Sequence, residues 1–273
     1  NYDIQVIHFC FLVVILSSGY VASVAMAHWF TFLVALFQQR VGNPDPILQH
    51  DISFYLFSLP LLLQLQKWGF WVGLFTFALV ALCYGFRWRK LPGESQMVLA
   101  RTVQRHLLGL GGILLLFQAL GHWLARYTLM YSNRGSFAGA NFTDVHTQMP
   151  VDMLLAGMAL VGALALLSLA LFNPELGYFK RAPRNSLEWH WRLRQMLGLL
   201  LILGTYGLAA LGLGLAYPDL VQRVAVVPNE LERDRPYIEH NIAFSRQGYN
   251  LTEVDVQPFQ FKDNLTAESL TRN

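Results

Sequence analysis

Charge is scarce in this chain. Asp, Glu, Lys and Arg make up 14% of its 273 residues, about half the share of a soluble domain, which excludes an ordinary water-soluble globule. Cysteine is scarcer still: Cys10 and Cys83 stand in different apolar stretches, so there is no CxxC motif and no basis for a disulfide framework. No Walker loop, GxSxG, HExxH or dinucleotide fingerprint is present, and the chemistries those motifs carry are not spelled out. Ten-residue segments of alternating polarity are also missing, which argues against a transmembrane barrel. The net charge is only +3, and from Pro218 onward nine acidic residues outnumber six basic ones. Nucleic-acid phosphates would find no basic face there.

What the chain does have is long apolar runs. Hydrophobic residues make up 54% of it, concentrated in five stretches of the roughly 20 residues that a helix needs to cross a bilayer. These are Val6 to Ala27, Trp68 to Phe86, Leu107 to Leu124, Met153 to Phe172 and Met196 to Tyr217. Ten of the twenty lysines and arginines fall in two connections between them, Arg87 to Arg105 and Asn173 to Gln195. Basic loops stay cytoplasmic, so five spans with the N-terminus inside and the C-terminus outside satisfy every connection. The stretches assigned outside, Gln38 to Gln66 and Ala125 to Asp152, hold only Arg40, Arg126 and Arg134 as basic residues.

Two regions strain that count. Apolar character runs from Val6 to Phe37, about 48 Å of helix, which overshoots the bilayer and predicts a bend after Ala27. His28, Trp29 and Thr31 would then open an interfacial helix. Ile52 to Lys67, with its aromatics, Pro60, Gln64 and Gln66, also reads as interfacial or re-entrant. Counting both regions as crossings gives seven spans, and charge does not distinguish the two readings. Gly42 to Pro46 is a dense turn signal. Small residues at four-residue spacing, Ala159 with Ala163 and Ala210 with Gly214, suit close helix packing in lipid.

Residues 1–217 thus read as a transmembrane helical domain and 218–273 as an extracytoplasmic soluble segment, the start of a small α+β domain. Leu220 to Val227 has strand composition, Asn229 to Gln247 a helical start, and Val254 and Val256 alternate as in a short strand beside Pro258. A tail of this size rarely builds a core alone, so more chain or a partner is expected. Asn1 is not a start methionine, which fits a piece of something longer.

Three segments carry a resemblance. They are DPILQHDISFYLFSLP (Asp45 to Pro60), GHWLARYTLMYSNRG with GANFTDVHTQMP (Gly121 to Gly135, Gly139 to Pro150), and VVPNELERDRPYIEHNIAFSRQGYNL (Val226 to Leu251). In them the chain resembles the bacterial membrane proteins of uncharacterised protein family 0182. The resemblance implies a multi-pass amino-terminal half followed by a large extracytoplasmic domain, in chains much longer than this one. It implies no catalytic residue, because the family has no assigned activity.

The residues with chemistry are few. Gln118, His122 and Arg126 stand at i, i+4 and i+8 and form one polar stripe. His122, with Gly121 clearing space beside it, is the candidate ligand for a haem iron or chlorophyll magnesium. The simpler reading has His122 hydrogen-bonded between helices and Arg126 paired with Asp144 or Asp152. His50, His122, His146 and His240 share the outer side but lack close zinc-ligand spacing. Glu230, Glu232, Asp234 and Glu239, interleaved with Arg233 and Arg235, suit a solvated helical face better than an acid–base pair. Asn141, Asn250 and Asn264 begin incidental N-x-Ser/Thr sequons. Only Thr76, Ser168 and Thr205 interrupt the second, fourth and fifth spans, which argues against ion-coupled transport within them.

The expectation is therefore a bacterial inner-membrane or thylakoid protein without catalytic residues, an accessory subunit that docks onto other membrane subunits. A chlorophyll- or haem-binding subunit using His122 or His8, and a channel or transporter component, are the alternatives.

Overall fold

The computed structural model describes residues 21–88, 93–172 and 201–254 with isolated positions nearby, giving the backbone alone around 86–102. The span Val6 to Ala27 lies partly outside the described residues, and the connection Asn173 to Gln195 and the proposed strand residue Val256 lie outside them. Among the described residues all regular structure is helical, apart from one isolated antiparallel bridge between Pro44 and Asp51.

The α-helices are α1 (Trp29–Leu36), α2 (Leu59–Trp88), α3 (Gly93–Thr128), α4 (Met149–Phe172), α5 (Tyr217–Val221) and α6 (Glu230–Gly248). Among the described residues four helical runs are long and apolar enough to cross a membrane: Phe54–Gly85, Val103–Tyr131, Asp144–Phe172 and Leu201–Gly248. They contain four of the five predicted spans, all but a few residues at the edges. The bend after Ala27 is present, with His28 leaving helical geometry at φ −112° and ψ 10°. The connection Arg87 to Arg105 is shorter than expected, because α2 ends at Trp88 and α3 begins at Gly93.

Ile52 to Lys67 is not a separate interfacial segment. It continues directly into the membrane-length helix, and Pro60 does not break it. The reason lies in a local device that recurs four times among the described residues. The π-helical segments Phe54–Ser58, Asp144–Gln148, Ala210–Ala216 and Gln222–Val226 each end two residues before a proline: Pro60, Pro150, Pro218 and Pro228. Proline lacks an N–H, and its ring collides with the carbonyl four residues back. Here the residue just before each proline donates instead to the carbonyl five residues before itself: Leu59 to Phe54, Met149 to Asp144, Tyr217 to Gly212 and Val227 to Gln222. The wider turn makes room for the ring, and at Pro60, Pro150 and Pro218 the helix runs on.

Leu220 to Val227 is likewise helical rather than a strand. Its valines favour strands by propensity, but the segment extends an existing membrane helix with Pro218 at its start, where proline is tolerated. Val254 stands in irregular backbone. The helix predicted over Asn229 to Gln247 is present as α6.

α3 packs against both α2 and α4. Ala159, Ala163 and Leu166 are buried in that interface, and Gly112 sits where an added Cβ would meet Leu167 at 2.7 Å and the Ala163 carbonyl at 3.2 Å. The predicted small-residue spacing in α4 is thus what lets α3 approach. Gly214 likewise lies close to Leu155. Gly69 has a sharper role: a Cβ there would fall 2.1 Å from the Phe117 ring.

Candidate functional site

The buried polar residues gather where α2 and α4 begin and α3 ends, here termed the polar end. Asn141, Thr143, Asp144, Thr147, Asp152, Gln222 and Asp234 are all buried there. At the start of α4, Asn141 accepts from the Asp144 amide at 2.9 Å while Asp144 accepts from the Asn141 amide at 3.3 Å. This reciprocal pair is a capping box, which satisfies helix-start amides that have no partner within the helix. Asn141 is therefore a buried cap, which leaves its sequon no exposed acceptor.

The cap has a cover. Asp234 accepts from the Phe142 amide at 2.9 Å, and Thr143 donates to Gln222. Asn241 donates to the Ala138 carbonyl at 2.6 Å, and the Tyr237 hydroxyl lies 3.2 Å from His146 Nδ1. Gln222 and Asp234 reach adjacent residues, yet in one straight helix twelve residues would separate them by about 18 Å. The chain therefore turns at Pro228 and Asn229, where Asn229 leaves helical geometry at φ −133° and ψ 40°, and α6 folds back over the start of α4. Sequence reasoning placed Asp234 on a solvated face. That holds for its neighbours, since Arg235 and Glu239 form an exposed i, i+4 pair at 3.1 Å. Asp234 itself is fully buried.

Arg134 completes the cluster. It pairs with buried Asp144 at 3.2 Å, donates to Gln148 at 3.4 Å and lies 3.9 Å from Asp219. Asp144 is thus not the partner of Arg126, and neither is Asp152. Arg126 instead donates to the Tyr127 hydroxyl at 2.7 Å and stacks over the Trp123 ring, its guanidinium carbon 3.5 Å from the centroid.

His122 sits deeper, between three helical runs. Its Nδ1 lies 3.4 Å from Asp152 of α4, and its Nε2 lies 3.0 Å from the hydroxyl of Tyr206 in the last run. Gln118 approaches that same hydroxyl, and Gln148 donates to the other Asp152 oxygen at 3.3 Å. Both ring nitrogens thus face protein groups, and an axial bond to iron or magnesium requires one of them to leave. Gly121 does not open a cofactor space, because Gln66 fills it: an added Cβ would meet Gln66 Nε2 at 2.8 Å, and that amide donates to the Phe117 carbonyl at 2.9 Å.

The remaining histidines are dispersed. His50 stacks on Phe54 and meets Tyr127 edge-on, and His146 stacks on Phe142 with centroids 4.3 Å apart. Among the described residues no group of three metal-ligating side chains converges. The start of α2 repeats part of the α4 design in a more open form. Asp51 accepts from the amides of Ser53, Gly42 and Val41. Hydrogen bonds from Ser53, first from its side chain and then its amide, with the Gly42 and Val41 amides, hold the Asp51 carboxyl down at about 2.

Comparison with known proteins adds a family. The model of an uncharacterised protein family, UPF0182, matches residues 3–273. A UPF0182 protein of Synechococcus sp. strain JA-3-3Ab is 42% identical over 266 residues, covering 94% of this chain and 30% of the relative. Similar proteins from Cupriavidus necator and Nostoc sp. strain PCC 7120 are 32% and 33% identical over 248 residues, covering 91% and 90% of this chain and 25% and 23% of theirs. The chain spans less than a third of the length of these curated relatives. No solved structure matches. With the family model matching nearly end to end, the chain belongs to the uncharacterised protein family UPF0182.

Proposed function

We propose that this chain is the membrane-embedded part of a non-catalytic structural or accessory subunit, which carries further chain outside the cytoplasm and docks onto a larger membrane assembly. The observation that carries this reading is fully buried Asp234, which ties α6, at the end of the last helical run, to the start of α4. Buried polar groups of this kind are costly unless partnered; Asp234 Oδ1 takes the Phe142 amide, while its Oδ2 and the Asn141 side-chain nitrogen are buried without a hydrogen-bond partner. Thr143 and Asp152 join helices, through Gln222 and His122, while Asn141 and Asp144 fix the start of α4 between themselves. Such a cluster makes a rigid mount, and rigidity is what a scaffold needs from its anchor. The basic connections set the orientation in this reading, with the polar end on the outer side.

The test is isolation of the protein from native membranes in mild detergent. Recovery in a stable complex with other membrane subunits is the expected result, and recovery only as a free monomer overturns the proposal. Visible absorbance that copurifies and vanishes in His122→Ala would replace it with the haem or chlorophyll reading.

A further inference from the structure

Among the described residues Arg126 is a cation without an anion. It makes no ion pair with any carboxylate among the described residues, although its end of the fold is rich in them. Those acids are engaged elsewhere: Asp45 by the Leu48 amide and the Tyr55 hydroxyl, Asp144 by Arg134, and Asp152 by His122 and Gln148. Asp234 takes the Phe142 amide. Within the guanidinium, Nη2 reaches Tyr127, while Nε is buried with no hydrogen-bond partner. Nη1 has no partner among the described residues either, and it is not one of the buried unsatisfied atoms.

The depth of this group matters. The apolar stretch of this helix, Leu107 to Leu124, is centred between Leu115 and Leu116, and Arg126 lies ten to eleven residues beyond that centre. That is about 16 Å along the axis, close to the roughly 15 Å half-thickness of the hydrocarbon. An arginine at that edge normally snorkels outward to water. This one lies back over Trp123, one turn nearer the bilayer centre, and Trp123 itself is 46% exposed. Indole favours the headgroup level, and its face holds a cation without neutralising it.

We propose that Arg126, on its Trp123 platform, binds the phosphodiester of an anionic phospholipid in the leaflet at the polar end. A planar guanidinium matches phosphate oxygens as a two-pronged donor, and at this depth the lipid phosphate is the abundant anion. The open Nη1 supplies the first hydrogen bond. The exposed indole edge receives the glycerol backbone and upper acyl chain.

The test is native mass spectrometry of the full chain, titrated with phosphatidylglycerol, phosphatidylcholine and inorganic phosphate. The expected result is one tightly retained phosphatidylglycerol, with affinity falling about tenfold or more in Arg126→Gln, as the loss of charge-assisted hydrogen bonds predicts. Arg126→Lys, which keeps the charge but loses the fork, and Trp123→Leu should each weaken it by a smaller factor. Unchanged retention in a folded Arg126→Gln overturns the proposal. If that variant does not fold, unchanged retention in both others overturns it. Equal binding of phosphatidylcholine, or displacement of the lipid by millimolar inorganic phosphate, also overturns it.

Discussion

Two helices of this protein start with the same local plan and differ in what lies on top of it. In α2 and α4 alike, an Asx residue nine positions before a proline caps the chain, a buried Ser or Thr follows two positions later, and a five-residue π segment leads to the proline. Asp51, Ser53 and Pro60 make one copy, and Asn141, Thr143 and Pro150 the other. The first cap is a charged group held by its own loop. The second is neutral, fully buried, and roofed by Asp234 and Gln222 from the far end of the chain. The plan thus tolerates water or protein above it, but burial turns a local cap into a long-range joint. A polar residue there fixes two segments at once.

The largest expected break in the contrast comes at Arg134. Replacing it by Leu leaves Asp144 buried without its cation and should destabilise the fold by about 3 kcal/mol, the low end for such pairs because Arg134 is partly open to solvent. Equilibrium unfolding in mixed micelles measures this. Next comes Asp234→Ala, which strands the Phe142 amide and removes the roof. It should cost about 2 kcal/mol and speed limited proteolysis around Asn229. A variant with native protease resistance would show that α6 is not held by this contact.

The smallest effect belongs to the open cap. Because the Asp51 carboxyl is held at about 2 against 3.8 ordinarily, its contribution to stability is present above pH 3.8 and is lost as pH falls through about 2. Asp51→Asn should flatten that part of the acid unfolding profile and change little near neutrality. An unaltered acid profile would contradict the hydrogen bonding described for this cap.

Much of the fold was legible in the sequence because lipid imposes a crude rule: apolar length. Leu107 to Leu124 and Met153 to Phe172 sit inside α3 and α4 for that reason, and Ala159 and Ala163 mark the packed face. The stripe of Gln118 and His122 was also visible, since helical periodicity places both on one side, and both reach Tyr206. What stayed hidden depends on distant partners. Nothing near Asp234 separates it from its exposed neighbours, because its reason for burial lies 92 residues away. Pro60 misled for the opposite reason. Its local signal is a break, and the π turn that absorbs it has no compositional signature.

That turn has a further consequence. The membrane portions of α2 and α4 are apolar on nearly every side, so hydrophobicity alone gives either helix little reason to prefer one rotation about its axis. An extra residue in a turn advances the helix face by about 100°. Each π segment therefore acts as an index mark. With a buried hydroxyl or amide pinned just above it, the tip sets the angle at which all the residues below meet their neighbours.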